Sequence, residues 1–143
     1  MSTDCIFCKI VNGEAESSII YDNADIMAFL DMHPINPGHT LIIPKKHTAN
    51  IYDIPKEILE KIAVVSKELS VRIKEVLNPD GISIFQMNEK AGDQDVMHYH
   101  VHVIPRYNGD WFHEEIMKAV KKQHVTNPSR EELNSIAAKI KKV

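Results

Sequence analysis

The sequence predicts an α+β domain: short strands, one long helix, further strands, then a helical tail. Two observations carry this. Apolar residues over 55–77 recur every three or four positions, at Ile58, Ile62, Val65, Leu69, Ile73 and Val76, which makes one buried helical stripe. Runs rich in β-branched residues, bounded by Pro, Gly and Asn, stand on both sides of it. The 143 residues allow one core and a tail. The expected architecture is a mostly antiparallel sheet with the long helix on one face. The expected division is a domain over 1–106 and a C-terminal tail over 107–143.

Each element has a local reason. Residues 19–31 read as two short strands around a turn at Asp22-Asn23-Ala24. Residues 31–39 carry Pro34, Pro37 and Gly38 and read as a loop. His39 to Pro44 is β-branched, and Pro44 ends that strand or places it at an edge. Pro55 suits a first helical turn, and Asn78-Pro79-Asp80-Gly81 stops the helix. Ile82–Met87 and Met97–Pro105 are the next predicted strands, with a polar loop over Asn88–Asp95 between them. Beyond Arg106 the strand pattern is lost. Asn127-Pro128-Ser129 opens a last helix, in which Ser129 and Glu132 match a capping box and Leu133, Ile136, Ala137 and Ile140 share a face.

Composition excludes several classes. Apolar residues make up 43% and charged residues 26%, so most of the chain is expected to fold. A net charge of −3 gives no basic footprint for nucleic acid. No apolar run approaches the roughly 20 residues that span a bilayer, and Met1-Ser2-Thr3-Asp4-Cys5 has no signal-peptide character. Two cysteines three positions apart cannot staple a secreted fold. The expectation is a cytoplasmic protein with reduced thiols and neither nucleic-acid nor membrane partners.

Histidine is over-represented, with eight residues, and three of them alternate in His98-Tyr99-His100-Val101-His102. On a strand this puts three imidazoles on one face, about 6.6 Å apart between Cα atoms. Tyr99, Val101 and Val103 then take an apolar opposite face suited to the helix. Chance clustering explains strict alternation poorly. A metal site made of these three alone is disfavoured, because side chains on one straight strand diverge and only one or two can reach one ion. A catalytic row fits better: imidazole titrates near neutrality and can be nucleophile, acid or hydrogen-bond donor. The preceding loop offers Asn88, Gly92 and Gln94 as donors to phosphate oxygens.

The segment His98-Tyr99-His100-Val101-His102-Val103-Ile104 resembles the signature of the histidine triad (HIT) superfamily, histidines alternating with apolar residues. Asp4-Cys5-Ile6-Phe7-Cys8-Lys9-Ile10 resembles the start of its bacterial members. Phe29-Leu30-Asp31, Pro37-Gly38-His39 and Ile43-Pro44-Lys45-Lys46-His47 resemble further blocks. The small Hint-like nucleotide hydrolase branch fits best. The resemblance implies a homodimeric HIT-like fold that binds a purine nucleoside monophosphate unit and cleaves at the α-phosphorus. The implied substrate is a nucleoside phosphoramidate, with a dinucleoside polyphosphate as runner-up. By position, His100 is the nucleophile, His102 binds and polarises phosphate, and His98 and His39 flank the site. Asp31 matches the ribose-binding carboxylate, Asn88 and Gln94 match polar residues on the phosphate side, and Ile6 and Leu30 lie near the base. One departure stands out: the order is Ala91-Gly92-Asp93-Gln94, with Asp93 at the usual glycine position. Asp93 keeps a second class open, a nucleotide-binding regulatory module with little turnover.

Cys5 and Cys8 form a C-x-x-C pair. A redox motif would want a βαβ setting that this N-terminus lacks. An inert pair and half of a zinc site remain, the latter needing two more ligands. The resemblance implies that His47 and His98 supply them, making a closed structural zinc site that also fixes the His98 ring. A metal-dependent scaffold without a nucleotide site is the third class. His33, His113 and His124 fall outside the matched blocks and are expected to be solvated. The resemblance lets Trp111 and Phe112 reach a dimer partner's site, with the tail packed on its own domain or on the partner.

Overall fold

The computed structural model describes residues 4–121 and 128–141. In chain order the elements are α1 (Ile6–Val11), β1 (Ile19–Asp22), β2 (Ile26–Leu30), β3 (Thr40–Pro44), α2 (Lys56–Leu77), β4 (Gly81–Gln86), β5 (Val101–Arg106), α3 (Trp111–Lys121) and α4 (Arg130–Ile140). The five strands form one antiparallel sheet in the order β1-β2-β3-β5-β4. Residues up to Asn108 make one compact unit and those from Gly109 a second. None of the described helices is long and apolar enough to cross a membrane.

The period of two along the strands explains how the sheet is covered. Ile26 and Ala28 of β2, Ile42 of β3 and Val101 and Val103 of β5 join Ile62, Val65, Leu69 and Ile73 of α2 in one core. Tyr99, just before β5, belongs to it as well. The intervening residues Met27, Phe29, Leu41 and Ile43 face the other way and pack with Phe7 and Ile10 of α1. Both faces of the central strands are therefore buried, which is why β2 and β3 read as continuous apolar runs. α2 ends where Asn78 adopts a left-handed conformation, its N–H returning to the Lys74 carbonyl.

Several boundaries differ from the sequence-based expectation. Pro44 ends β3, and that strand lies in the middle of the sheet. β5 begins only at Val101 instead of Met97. The His98 N–H turns back to the Val96 carbonyl (2.8 Å) and the Tyr99 N–H bonds to Thr48 (2.6 Å), so the ladder cannot start earlier. α1 was not expected, since six residues carry too little periodicity to announce a helix. In the second unit the tail holds two helices where one was expected. The capping box of α4 is present: the Glu132 N–H donates to Ser129 Oγ (3.2 Å) and the Ser129 N–H to Glu132 Oε2 (2.7 Å). His124 and Asn127 lie outside the described residues.

The loop from Asn88 to Asp95 is wound tightly around Gln94. Gln94 Oε1 accepts from the Glu89 N–H (2.8 Å), and its Nε2 donates to the carbonyls of Ala49 (2.7 Å) and Val96 (2.9 Å). The winding forces positive φ on two residues that are not glycine. Asp93 (φ 65, ψ 23) is left-handed, which Asp tolerates; Glu89 (φ 62, ψ 168) occupies a region that is nearly exclusive to glycine. Glu89→Gly is expected to raise stability by about 1 kcal/mol, seen as a higher Tm, with Glu89→Ala giving no gain. An unchanged Tm for Glu89→Gly would show that the backbone there holds no strain.

Candidate active site and metal centre

Although β5 starts late, the alternation through His98, Tyr99, His100, Val101 and His102 persists. Tyr99 and Val101 enter the core under α2, while the Phe7 ring on the opposite face packs edge-on against both His98 (5.7 Å) and His100 (5.3 Å). The three imidazoles nevertheless enter different environments.

Their hydrogen-bonding roles follow from neighbours whose own roles are fixed, since a carbonyl can only accept and a backbone N–H only donate. His98 Nε2 lies 2.8 Å from the Pro44 carbonyl, so it carries the proton and Nδ1 keeps its lone pair. His100 Nδ1 lies 2.8 Å from the His98 carbonyl, so it carries a proton, and in the neutral ring Nε2 is the nitrogen with the lone pair. The Ile35 N–H donates to His39 Nδ1 (3.1 Å), which puts the His39 proton on Nε2. That N–H donates to His102 Nδ1 (2.9 Å), leaving the His102 proton on Nε2. Burial pushes His98 down to about 4, although its bond to Pro44 opposes the shift. Burial also pushes His102 down to about 4, with the His100 and His39 rings adding to the effect. His39 is lowered by burial against the pull of Asp31. These three rings are thus neutral near pH 7, and each offers one donor and one acceptor.

The His98 lone pair points into the thiol cluster. Ligand atoms of Cys5, Cys8, His47 and His98 all lie within 4.8 Å of one another. The Sγ···Nδ1 separations are 3.4 Å (Cys5–His98), 3.6 Å (Cys8–His98) and 3.3 Å (Cys8–His47). A tetrahedron with zinc–sulfur of about 2.3 Å and zinc–nitrogen of about 2.0 Å has an S···N edge of about 3.6 Å. The donor set fits zinc. Burial raises the Cys8 thiol, and its neighbour Cys5 adds to this, so binding the cation there must displace a proton. α1 places the pair, with Cys5 at its N-cap and Cys8 inside it. A second group, Asp31, His39 and His102, is equally close, but there the His39 proton already occupies the His102 lone pair, so it forms a hydrogen-bonded relay.

Next to the centre is a pocket of about 310 Å³ lined by Ile6, Phe7, Leu30, Asp31, Asp95, His100 and His102, among others. Ile6 and Leu30 are partly exposed and present apolar walls. Asp31 Oδ1 accepts from the His33 N–H (2.8 Å) and Oδ2 lies 3.6 Å from His39 Nε2. Two buried polar atoms on this pocket have no partner, His102 Nε2 and Ser17 Oγ. Buried polar atoms are rarely left unpaired, so both mark unused hydrogen-bonding capacity in the pocket wall.

Two expected pocket residues are elsewhere. Gln94 is buried and braces its loop. Asn88 accepts from the Ile51 N–H (2.8 Å) and pairs with the Gln86 amide, tying β4 to the loop before α2. Neither borders the pocket. Asp93 is exposed and does not line it; the carboxylate that does is Asp95, with Oδ1 3.5 Å from His100 Nε2. Phe7, Ser17 and Asp95 were missed from the sequence. Asp95 carried a usable signal, an acid three positions before the first triad histidine. His33, though exposed, borders the pocket as well, and His113 is exposed.

Two measurements test this geometry. The unfolded chain takes up the His102 proton near pH 6.5 and the folded chain only near 4, so the unfolded state holds more protons between those values. Stability should therefore fall as pH drops from about 6.5 to about 4, and an NMR titration of the His102 ring should give a midpoint below about 5. A midpoint near 6.5 contradicts the buried relay. Protein purified without chelator should carry about one zinc per chain, and Cys8→Ala should lose it with a Tm lowered by roughly 10 °C. Less than about 0.2 zinc per chain would count against the site.

Known proteins share this sequence pattern and fold. Over 140 residues the chain is 36% identical to Protein hit of Bacillus subtilis, covering 97% of this chain and 93% of that one. A solved Zn-bound histidine triad family protein from Mycobacterium smegmatis superposes with a TM-score of 0.74 at 33% identity, covering 99% of both chains. A hypothetical histidine triad nucleotide-binding protein from Sulfolobus tokodaii gives 0.72 at 38% identity, over 74% of this chain and 71% of that one. Residues 12–109 match the HIT domain, the stretch that holds His39, His98, His100 and His102, and the chain belongs to the HIT family.

Proposed function

We propose that the protein is a nucleotidyl hydrolase that attacks the α-phosphorus of purine nucleoside phosphoramidates through a nucleotidyl-His100 intermediate. The observation that carries this reading is the bare Nε2 of His100 on the wall of a pocket sized for a nucleotide. The lone pair is available because the His98 carbonyl holds the ring's other nitrogen in its protonated form. An imidazole held in that way is a nucleophile without a separate base.

The remaining roles follow the same geometry. Ile6 and Leu30 sandwich the base, and Asp31 accepts from ribose hydroxyls. His102 Nε2–H donates to a non-bridging phosphate oxygen, and His39 holds it in that tautomer. His98 serves the centre from behind, as a zinc ligand whose own carbonyl orients the nucleophile. Bound zinc would fix Cys5, Cys8, His47 and His98 relative to each other; the reacting atoms belong to His100. Asn88 and Gln94 shape the phosphate-side loop from outside the pocket. Attack by His100 expels the leaving group, and water then releases the nucleoside monophosphate.

We further propose a homodimer, a HIT domain over 1–106 with residues 107–143 as its tail, and a cytoplasmic location. β4 is an outer strand carrying half-exposed Ile84, and α2 leaves Val71 and Val76 half exposed, which supports pairing with a second copy. Both cysteines are free thiols, as a reducing compartment keeps them.

His100→Ala is expected to abolish turnover of an adenosine phosphoramidate while AMP binding changes by less than about tenfold, since the loss is confined to the transition state. Full activity in that variant, measured as AMP release, refutes the assignment.

A further inference from the structure

Asp95 lies outside the roles assigned above, and its position is unusual for an anion-binding site. Its carboxylate oxygen Oδ1 is 3.5 Å from His100 Nε2. In the neutral ring that nitrogen carries a lone pair, so two lone-pair-bearing atoms then face each other at 3.5 Å. The arrangement invites a donor or a cation between them. Oδ1 is held there by the Val96 N–H (2.8 Å), while the side chain remains 79% exposed and open to a ligand.

Asp95 also stands between two cavities. It lines the nucleotide pocket and a neighbouring open cavity of about 460 Å³ bordered by Asp4, Ile6, Ala49 and Met97, with Cys5 and His47 of the thiol cluster on its wall. Ile6 and Val96 are shared by both cavities. With the nucleoside in the first and phosphorus at His100, Asp95 is the charged residue that stands between the point of attack and the second cavity. Its described acidic groups are Asp4 and Asp95.

We propose that Asp95 is the leaving-group selector, favouring an amine that leaves from phosphorus and opposing an anionic phosphate chain. This rests on the His100 reading and narrows its substrate class. A phosphoramidate nitrogen carries N–H and takes one further proton from bulk water before attack, so the reactive form is P–NH2+–R. The Asp95 carboxylate accepts from that group and stabilises its charge. As the His100 Nε2–P bond forms, the P–N bond breaks, its electron pair goes to nitrogen, and a neutral amine departs with the protons it already holds. The positive charge passes to the phosphorylated imidazole. A bridging oxygen in a polyphosphate has no hydrogen to give, and the phosphates beyond it meet Asp95 and Asp4 as like charges.

The test compares wild type with Asp95→Asn, which keeps the oxygen that accepts from Val96 and removes the charge. The substrates are the phosphoramidate joining AMP to the lysine side-chain amine, and diadenosine tetraphosphate. In the variant, kcat/KM for the phosphoramidate should fall at least about tenfold, mostly through kcat. For the tetraphosphate it should stay level or rise, most clearly at low salt. AMP affinity, read by calorimetry, reports that the variant is folded. An equal loss on both substrates, or no change in their ratio, overturns the selector role and leaves the His100 reading intact. Wild-type protein that turns over neither substrate overturns both.

Discussion

The hydrogen bond from His100 Nδ1 to the carbonyl of His98 is the constraint on which the rest of the site depends. It is a contact within one tripeptide, set by the backbone turn that delays β5. It decides that Nδ1 carries a proton, and therefore that Nε2 is the nitrogen through which the proposed attack would run. Three further fixed partners, Pro44 O, Ile35 N–H and His39 Nε2, do the same for the other rings. Four histidines of one type thus acquire different functions. His98 turns its lone pair to the two thiols, His100 turns Nε2 to a pocket, and His102 presents a proton that His39 keeps in place. None of this relies on unusual chemistry of imidazole; it relies on neighbours that can only donate or only accept.

The sheet makes this possible because both of its faces are covered. α2 takes one set of alternate residues, and α1, with Cys5 at its N-cap, takes the other. A small helix such as α1 would be marginal alone. Here Phe7 and Ile10 anchor it on Met27, Phe29 and Leu41, and Cys5 and Cys8 tie it to His47 and His98. The metal centre and the pocket consequently share a wall, with Phe7 against the rings of both His98 and His100. Structural and chemical residues differ by two positions in the chain.

Much of the fold was legible because periodicity reports burial directly. The α2 stripe, the two hairpin strands before it and the capping box of α4 are local patterns with local causes. Strand limits were less legible: β5 was expected from Met97, and it starts at Val101 because Tyr99 spends its N–H on Thr48, a residue far away in sequence. α1 and α3 left weak signals, being short or lacking a distinctive boundary. In the site, Ile6, Leu30 and Asp31 were expected at the pocket and line it, whereas Asn88 and Gln94 serve the loop and Asp95 takes the place beside His100. A polar residue in a loop is equally suited to binding a ligand or bracing a turn. Only its partners tell which, and Gln94 uses Oε1 and Nε2 on three backbone groups.

By itself the sequence determined which residue types stand on which face: alternation puts three imidazoles on one side of a strand and apolar residues on the other, whatever lies around them. It also determined that two thiols stand three positions apart in the chain. Only the tertiary structure decided where each imidazole proton resides, that His98 turns toward the thiols, that Gln94 turns away from the pocket, and that Asp95 reaches His100. Those outcomes depend on single donors and acceptors brought together from distant parts of the chain, and hydrophobic periodicity carries no record of them.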